Sequence, residues 1–574
     1  MRLVSRGPAV PTAPAEARLT AGTPMRAAPA LLTALVGGLA LAAAFPPAGI
    51  WPLAAVGPAL LTVALWRQPA RTALAAGAIF GLAFFFPLLS WLGNVAWYVW
   101  AALAIAESVI FAVLTLGQWL LLRLRAWPLA VAGWWVVAEG VRDRWPWQGF
   151  PWGRLVMSQA TAPTARWVAV GGPPFLTFLV ALTAACLAWL LLGPVKVLAA
   201  ERLTRQAAAR ARRWPSLALL VMVALCAAGT LLPVGAGAGS GAAGSRAAGG
   251  GTAVVAAIQG DVPHARTLPN LLRATTVTQN HAAATARLAA LVASGRAPAP
   301  DLVIWPENST DQDPGLNPYI SQLISGAAAA INRPVLVGAV LQNPVRNAGQ
   351  LWLPGRGPVQ TYVKRRLVPF GEVIPFRGLL DSFTSLPSLQ PVDFTPGHQA
   401  VVFKVGKIRL GDVICYEVGF DGLVSSEVAA GANLLTVPTN DADFELDGQT
   451  GETLQQLAMA RIRAIEHDRA VVVASTTGIS AIIAPDGSLL ASSRTWQQAE
   501  IEARVPLLTT TTLADAIGGW PEGLITIATL AALALALAGL IRERRRDFAA
   551  APHAGVSPPE EGSRQAAESH QAAE

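Results

Sequence analysis

The stretch VVFKVGKIRLGDVICYEVGF (residues 401–420) holds two β-like runs, and the second delivers Cys415 directly to Tyr416 and Glu417. Its neighbours decide what that means. TAVVAAIQ (252–259), DLVIW (301–305), PVLVGAVL (334–341), VQTYVK (359–364), NLLTVPT (433–439), AVVVAST (470–476) and SAIIAP (480–485) are further short apolar runs of strand character. Between them lie helical patterns at 281–294, 318–331, 423–431 and 452–468. In the last, Leu454, Leu457, Ala458, Ile462 and Ile465 recur at helical spacing. Strands alternating with helices predict an α/β layered domain over residues 252–510.

Outside this block the chain changes character. The whole is 574 residues long, 53% hydrophobic and 14% charged, with a mean hydropathy of +0.45. That is too apolar for an ordinary soluble protein of this length. Runs near 28–44, 47–65, 71–91, 98–122, 127–140, 167–193, 215–233 and 521–541 suit a bilayer core of about 30 Å. The fifth is short enough to be re-entrant. The expectation is a multi-pass α-helical membrane domain over 27–233, about seven helices, and a final span at 521–541. Residues 1–26 and 547–574 read as disordered cytoplasmic extensions, and 234–251 as a Gly-rich linker.

Basic residues orient the spans. Arg2, Arg6, Arg18 and Arg26 precede the first, Arg67 and Arg71 follow the second, and Arg123 and Arg125 follow the fourth. Lys196 through Arg213 follow the sixth, and Arg542 to Arg546 the last. All fall on one side, which the positive-inside rule makes cytoplasmic. The loop 141–166 dissents with Arg142, Arg144, Arg154 and Arg166. The majority places the 252–510 domain outside a cell (inner, cytoplasmic) membrane. The net charge of +8 is then a topology signal, and no basic patch points to nucleic acid.

The chain has three cysteines. Cys186 and Cys226 fall in predicted spans, so Cys415 has no partner for a disulfide within its domain. It is either a buried small hydrophobe or a nucleophile. Three β-like runs end in reactive side chains: LVIWPENS in Glu307, QTYVKRRLVPFGE in Lys364, GDVICYE in Cys415. Alone, each has an ordinary explanation: a solvated turn acid, a surface cation, a core filler. Together they form a coherent chemical set. A carboxylate can take the thiol proton, an ammonium can lower the thiol pKa and stabilise an oxyanion, and a thiolate can attack an acyl carbon. Lys364 is one of only four lysines among 43 basic residues, which suggests a role that needs a compact ammonium.

WPE at 305–307, K-x-x-LVPFGE-x-x-P at 364–375 and CYE at 415–417, flanked by membrane spans, resemble the nitrilase superfamily and, within it, the apolipoprotein N-acyltransferase family. The resemblance implies a nitrilase-like αββα sandwich with a Glu307–Lys364–Cys415 triad. Glu372 would support the site, as would Tyr416 and Glu417, with the Tyr416 N–H a candidate oxyanion donor. It implies transfer of an acyl chain from a phospholipid, typically phosphatidylethanolamine, through a cysteine thioester to the α-amine of a diacylglyceryl-cysteine lipoprotein. Two positions depart from the family pattern. Leu268 stands about where a tryptophan often follows the QG of the first strand, and Asp443 replaces the tryptophan of NDAWF in NDADFELDG.

Two other readings compete: a membrane-tethered amidase, and a non-catalytic membrane scaffold. The intact triad argues against the scaffold. The apolar loop 373–396, with Phe376, Leu379, Leu380, Phe383, Leu386 and Leu389, is either ordinary packing or a contact with the outer leaflet. WPWQGFPW (145–152) fits an interfacial aromatic belt. The match to GxGxxG at Gly239, Gly241 and Gly244 lacks a preceding strand and carries no weight. The six histidines are scattered, no metal pattern occurs, and the chemistry calls for no cofactor.

Overall fold

The computed structural model describes residues 25–198, 205–234, 251–263, 270–380, 382, 391–444 and 449–550. Leu268, Phe383, Leu386, Leu389, most of the Gly-rich linker and both predicted disordered ends except 25–26 and 547–550 lie outside them. Helices begin the fold: α1 (Ala27–Ala44), α2 (Leu53–Leu65), α3 (Ala70–Leu88), α4 (Trp97–Leu121), α5 (Trp127–Arg142), α6 (Val168–Leu198) and α7 (Arg205–Ala228). Gly37 and Gly57 let α1 and α2 meet backbone to backbone. A Cβ on Gly57 would strike the Gly37 carbonyl, the small-residue packing expected where helices associate in lipid.

The second span is shorter than its apolar run. Pro46 and Pro47 offer no amide donors, Gly49 turns with φ +63°, and α2 starts only at Leu53. Among the described residues five helical stretches are long and apolar enough to cross a bilayer: Ala27–Ala44, Ala70–Leu88, Trp97–Leu121, Pro163–Leu192 and Trp520–Arg546. The other three apolar helices, α2, α5 and the Pro215–Leu231 stretch, are shorter.

Among the described residues the central domain has twelve strands: β1 (Thr252–Gln259), β2 (Leu302–Ile304), β3 (Val335–Leu341), β4 (Arg346–Leu353), β5 (Gly357–Val363), β6 (Val402–Val405), β7 (Ile408–Asp412), β8 (Leu434–Thr439), β9 (Val471–Ser475), β10 (Ala481–Ile483), β11 (Leu489–Ser492) and β12 (Ala499–Pro506). They form two six-stranded sheets, β12-β1-β2-β3-β4-β5 and β11-β10-β9-β8-β7-β6. Each is mixed, with β1-β2-β3 and β7-β8-β9 parallel. The helices are α8 (Asn270–Ala293), α9 (Pro318–Ile331), the short α10 (Arg377–Leu380), α11 (Asp421–Ala429), α12 (Gly451–His467) and α13 (Leu513–Ile517), followed by the C-terminal α14 (Trp520–Ala550).

Side-chain alternation builds the layers. Ala253, Val255 and Ala257 of β1 face the second sheet, with Leu302, Ile304, Val472 and Ala474. Ala256 and Ile258 point the other way, onto Ala284 and Leu288 of α8 and Ile320 and Ile324 of α9. Strands buried on both faces read as unbroken apolar runs. The outer face of the second sheet carries Val471 and Val473, which join Met459 and Ile462 of α12 in one core with Phe84, Trp152 and Leu155 of the membrane domain. The architecture is an αββα sandwich whose fourth layer is also the seat of the membrane helices. That double contact is why α12 is buried along nearly all its length.

Three strands escape the sequence reading. β4, RNAGQLWL, lacks β-branched residues altogether. β11 is four residues long and mostly exposed. In β12, Glu500, Glu502 and Arg504 alternate with Ile501, Ala503 and Val505, the period of a strand with one wet face. Helix α8 also starts at Asn270, eleven residues before the expected 281.

Candidate active site

Each reactive side chain sits just past a strand. Glu307 follows β2 on a turn that lies against β3 at Gly338. Any side chain there would collide with the Pro306 carbonyl and the Glu307 backbone. Lys364 follows β5 directly. Cys415 does not end a strand as expected: β7 stops at Asp412 and Cys415 opens a tight 3-10 turn, Cys415–Gly419. Its φ is +52°, a left-handed conformation that costs a non-glycine residue about 1–3 kcal/mol. Glu417 holds this turn. Its carboxylate accepts from the Ile414 amide at 2.9 Å, the Arg365 amide at 2.6 Å, the Arg366 amide at 3.0 Å and the Tyr362 hydroxyl at 2.8 Å. Glu417 thereby ties the cysteine turn to the backbone just after Lys364.

The buried charges are densely connected. Lys364 Nζ donates to Glu307 Oε1 at 2.8 Å and to Glu372 Oε1 at 3.0 Å. Asn347 Nδ2 donates to the same two oxygens, at 2.7 Å each. The second oxygen of Glu307 accepts the Asn440 amide at 3.1 Å, and that of Glu372 accepts the Val368 amide at 2.8 Å. Lys364, Glu307, Glu372 and Cys415 are 1%, 4%, 8% and 7% exposed. On the far side of the thiol, Gln456 Nε2 of α12 lies 3.5 Å from Sγ.

The electrostatics correct one expectation. Lys364 does favour the Cys415 thiolate, but burial and the Glu307 carboxylate outweigh it and hold the thiol pKa well above its ordinary value. Burial also works against the Lys364 charge. There Glu307, Glu372 and Cys415 prevail, and the ammonium pKa stands well above normal. The resting site therefore pairs a neutral thiol with a cation, and a thiolate there would need a base to form. Glu307 is the carboxylate that acts on the thiol most strongly, ahead of Glu452.

A cavity of about 330 Å³ opens from Cys415 and Tyr416 toward the membrane domain. Val99, Ala102, Ala106 and Ile110 of α4 form one wall, at helical spacing, and Trp91, Trp147, Phe370 and Phe444 complete it. The aromatic stretch 145–152 splits in two. Trp145 and Trp147 are 62% and 46% exposed, and Trp147 packs edge-on against Phe370 and the exposed Phe376. Phe150 and Trp152 turn inward and stack on the Tyr416 ring at 6.4 and 6.0 Å. The Tyr416 hydroxyl donates to the Gly149 carbonyl at 2.8 Å. So Trp147, Phe150 and Trp152 of this stretch line the cavity.

Sequence reasoning missed Asn347, which lies on the unrecognised β4, and Gln456, whose face of α12 only the folded domain defines. Asp443, the departure in NDADF, is 64% exposed in its side chain and lies 3.6 Å from Arg273 of α8, while Phe444 beside it packs on Trp91.

Comparison with known proteins places this geometry. Residues 254–515 match the carbon-nitrogen hydrolase family, a range that spans nearly the whole sandwich. Residues 37–186 match the apolipoprotein N-acyltransferase N-terminal domain. An apolipoprotein N-acyltransferase of Mycolicibacterium smegmatis is 38% identical over 538 residues, 89% of this chain and 86% of that protein. One from Azotobacter vinelandii is 30% identical over 92% of this chain and 98% of its own length. The chain belongs to the apolipoprotein N-acyltransferase family and is a membrane protein. Among solved structures, an amidase from Nesterenkonia sp. aligns with a TM-score of 0.34 at 17% identity, covering 45% of this chain and 91% of that one.

Proposed function

We propose that this protein moves a fatty acyl chain from a membrane phospholipid, with phosphatidylethanolamine the expected donor, through a Cys415 thioester to the α-amine of the N-terminal diacylglyceryl-cysteine of lipoproteins. The observation that carries the reading is the largely apolar cavity that joins Cys415 to α4, a helix long and apolar enough to cross a bilayer. A hydrolase of small amides has no use for such a wall, whereas an acyl chain needs one. Within the same reading, residues 252–510 are the catalytic domain, on the extracytoplasmic side of the cytoplasmic membrane.

The chemistry follows from the contacts. Glu307 takes the Sγ proton as sulfur attacks the ester carbon. The Lys364 ammonium, with the Tyr416 amide, receives the charge that develops on the carbonyl oxygen. The C–O bond breaks, Glu307 returns the proton to the departing oxygen, and a lysophospholipid leaves. The acceptor amine then attacks the thioester, Glu307 takes a proton from its nitrogen, the C–S bond breaks and Glu307 passes that proton to sulfur. Glu372 and Asn347 keep Lys364 and Glu307 in register throughout. The deep, apolar setting limits access of water to the thioester.

The test is intact mass. Wild type and Cys415→Ala are purified, given phosphatidylethanolamine without an acceptor, and weighed. A gain of one acyl chain on wild type alone, removed by hydroxylamine, is expected. A folded wild type that gains nothing would sink the reading for this donor.

A further inference from the structure

Two carboxylates, Glu107 and Glu452, are among the residues that line the mostly apolar cavity. Glu107, on α4, is neutralised by Arg142 at 2.6 Å, and Arg142 in turn donates to the Trp152 carbonyl at 2.8 Å. That pair braces the aromatic wall. Glu452 belongs to the catalytic domain, in the first turn of α12, and is 2% exposed. It stands four residues before Gln456, so both side chains lie on one face of the helix, one turn apart. Gln456 touches the sulfur. Glu452 thus lines the cavity about one helical turn, ~6 Å along the axis, from the residue that contacts Cys415. Its charge reaches the Cys415 thiol, where it disfavours the thiolate after burial and Glu307 have done so more strongly.

Nothing in the first half-reaction calls for this carboxylate. Glu307 already serves the thiol, and a second negative charge beside it opposes thiolate formation. The second half-reaction is different. The acceptor brings a primary ammonium into an apolar cavity, and that charge is costly to bury without a partner. It must also lose a proton before nitrogen can attack.

We propose that Glu452 binds the acceptor's α-ammonium and orients it toward the thioester, so that α12 serves the second half-reaction as β2 and β5 serve the first. This rests on the acyl transfer proposed above. One ammonium proton passes to Glu452 and on to water. Nitrogen attacks the thioester carbon, Glu307 takes the second proton as the C–N bond forms, and sulfur receives it as the C–S bond breaks. The third proton stays on the amide. A carboxylate at this place selects an amine over water or an alcohol.

The test separates the half-reactions. Wild type, Glu452→Gln and Glu452→Asp are loaded with a fluorescent acyl chain from phosphatidylglycerol, whose headgroup has no ammonium. The isolated acyl-enzymes are then chased with a synthetic dipalmitoylglyceryl-cysteinyl peptide at several concentrations. Loading of Glu452→Gln is expected within about threefold of wild type. Its transfer to peptide should fall about 10- to 100-fold, as for loss of a positioned proton acceptor, with a higher half-saturating peptide concentration and an unchanged loss of label to water. Glu452→Asp should recover part of the transfer. Wild-type transfer by the loaded Glu452→Gln enzyme overturns the proposal. So does a loading defect in both variants while wild type loads, because Glu452 would then act before the acceptor arrives. If wild type loads from neither phosphatidylglycerol nor phosphatidylethanolamine, the acyl-transfer reading itself falls, and this inference with it.

Discussion

Arg154, in the loop between α5 and α6, grips Asp421 of the catalytic domain with two parallel bonds, Nη1 to Oδ1 at 2.7 Å and Nη2 to Oδ2 at 2.9 Å. Asp421 also accepts from Arg463 of α12 at 2.7 Å. The same loop carries Trp152 onto Tyr416. The clamp therefore fixes the aromatic wall of the cavity to the turn that bears Cys415. Arg154→Met leaves Asp143, 3.2 Å from the guanidinium, without its cation. Breaking a largely buried pair from one side costs about 3–5 kcal/mol. A fall of several degrees in the thermal midpoint of the detergent-solubilised protein is expected, together with slower acylation of Cys415. An unchanged midpoint would mean that the clamp contributes nothing.

Asn347 spans Glu307 and Glu372 with one amide nitrogen. Without it a single ammonium must serve two adjacent carboxylates. Asn347→Leu should lower the rate of acyl-enzyme formation by about 10²-fold, in the range of a mispositioned general base. Asn347→Asp should do worse, because it adds a third negative charge. The measurement is the single-turnover rate of Cys415 acylation. Equal rates for Asn347→Leu and wild type would remove Asn347 from the site.

The thiol offers a sign test. Burial raises the Cys415 pKa, Glu307 raises it further and Lys364 lowers it. The rate of alkylation by iodoacetamide should therefore still climb above about pH 9 in wild type, where an ordinary thiol near 8.5 has levelled off. Glu307→Gln removes a charge that opposes the thiolate, so its profile should move to lower pH although catalysis is lost. Lys364→Met should move it to higher pH. Shifts of the same sign in both variants would contradict the arrangement. Cys415→Ala identifies the labelled residue.

His281 gives a stability signature away from the chemistry. It is fully buried in α8, with Nδ1 2.7 Å from the Val277 carbonyl and its ring beside Trp305. Burial lowers its pKa to about 4. Below about pH 6.5 the unfolded chain binds a proton that the folded chain refuses, so stability falls as pH drops from there toward 4. The slope for this one group approaches about 1.4 kcal/mol per pH unit. His281→Gln, which carries no titrating ring, should flatten the fall in thermal midpoint between about pH 6.5 and 4.5. An unaltered slope would assign the acid sensitivity to other groups.

Much of this protein is legible in one dimension. Membrane helices and doubly buried strands announce themselves because burial in a uniform apolar medium demands uninterrupted apolar residues. Glu307, Lys364 and Cys415 stand out because each ends a β-like run and together they form one coherent chemical set. Where burial is one-sided or the strand is built from small polar residues, the signal fades. β12 hides among its charges and β4 among Asn, Ala, Gly and Gln. With β4 hidden, Asn347 was invisible too. The pKa of Cys415 was misjudged for a related reason. The sequence names the charges near a thiol but not the depth at which it is buried, and here depth decides.

The sequence by itself determined the class of most elements, the order of the apolar helices and the α/β segment, and the three candidate reactive residues. These are local properties, written in periodicity and residue chemistry. Only the tertiary structure decided that Trp91, Trp152, Tyr416 and Glu452 share one cavity, that Gln456 reaches the sulfur and that Arg154 closes on Asp421. Several of these contacts join residues hundreds of positions apart, because the outer face of the second sheet and α12 dock onto the membrane helices in one continuous core. Docking is set by the shape of two buried faces, and no short stretch of either records the shape of the other.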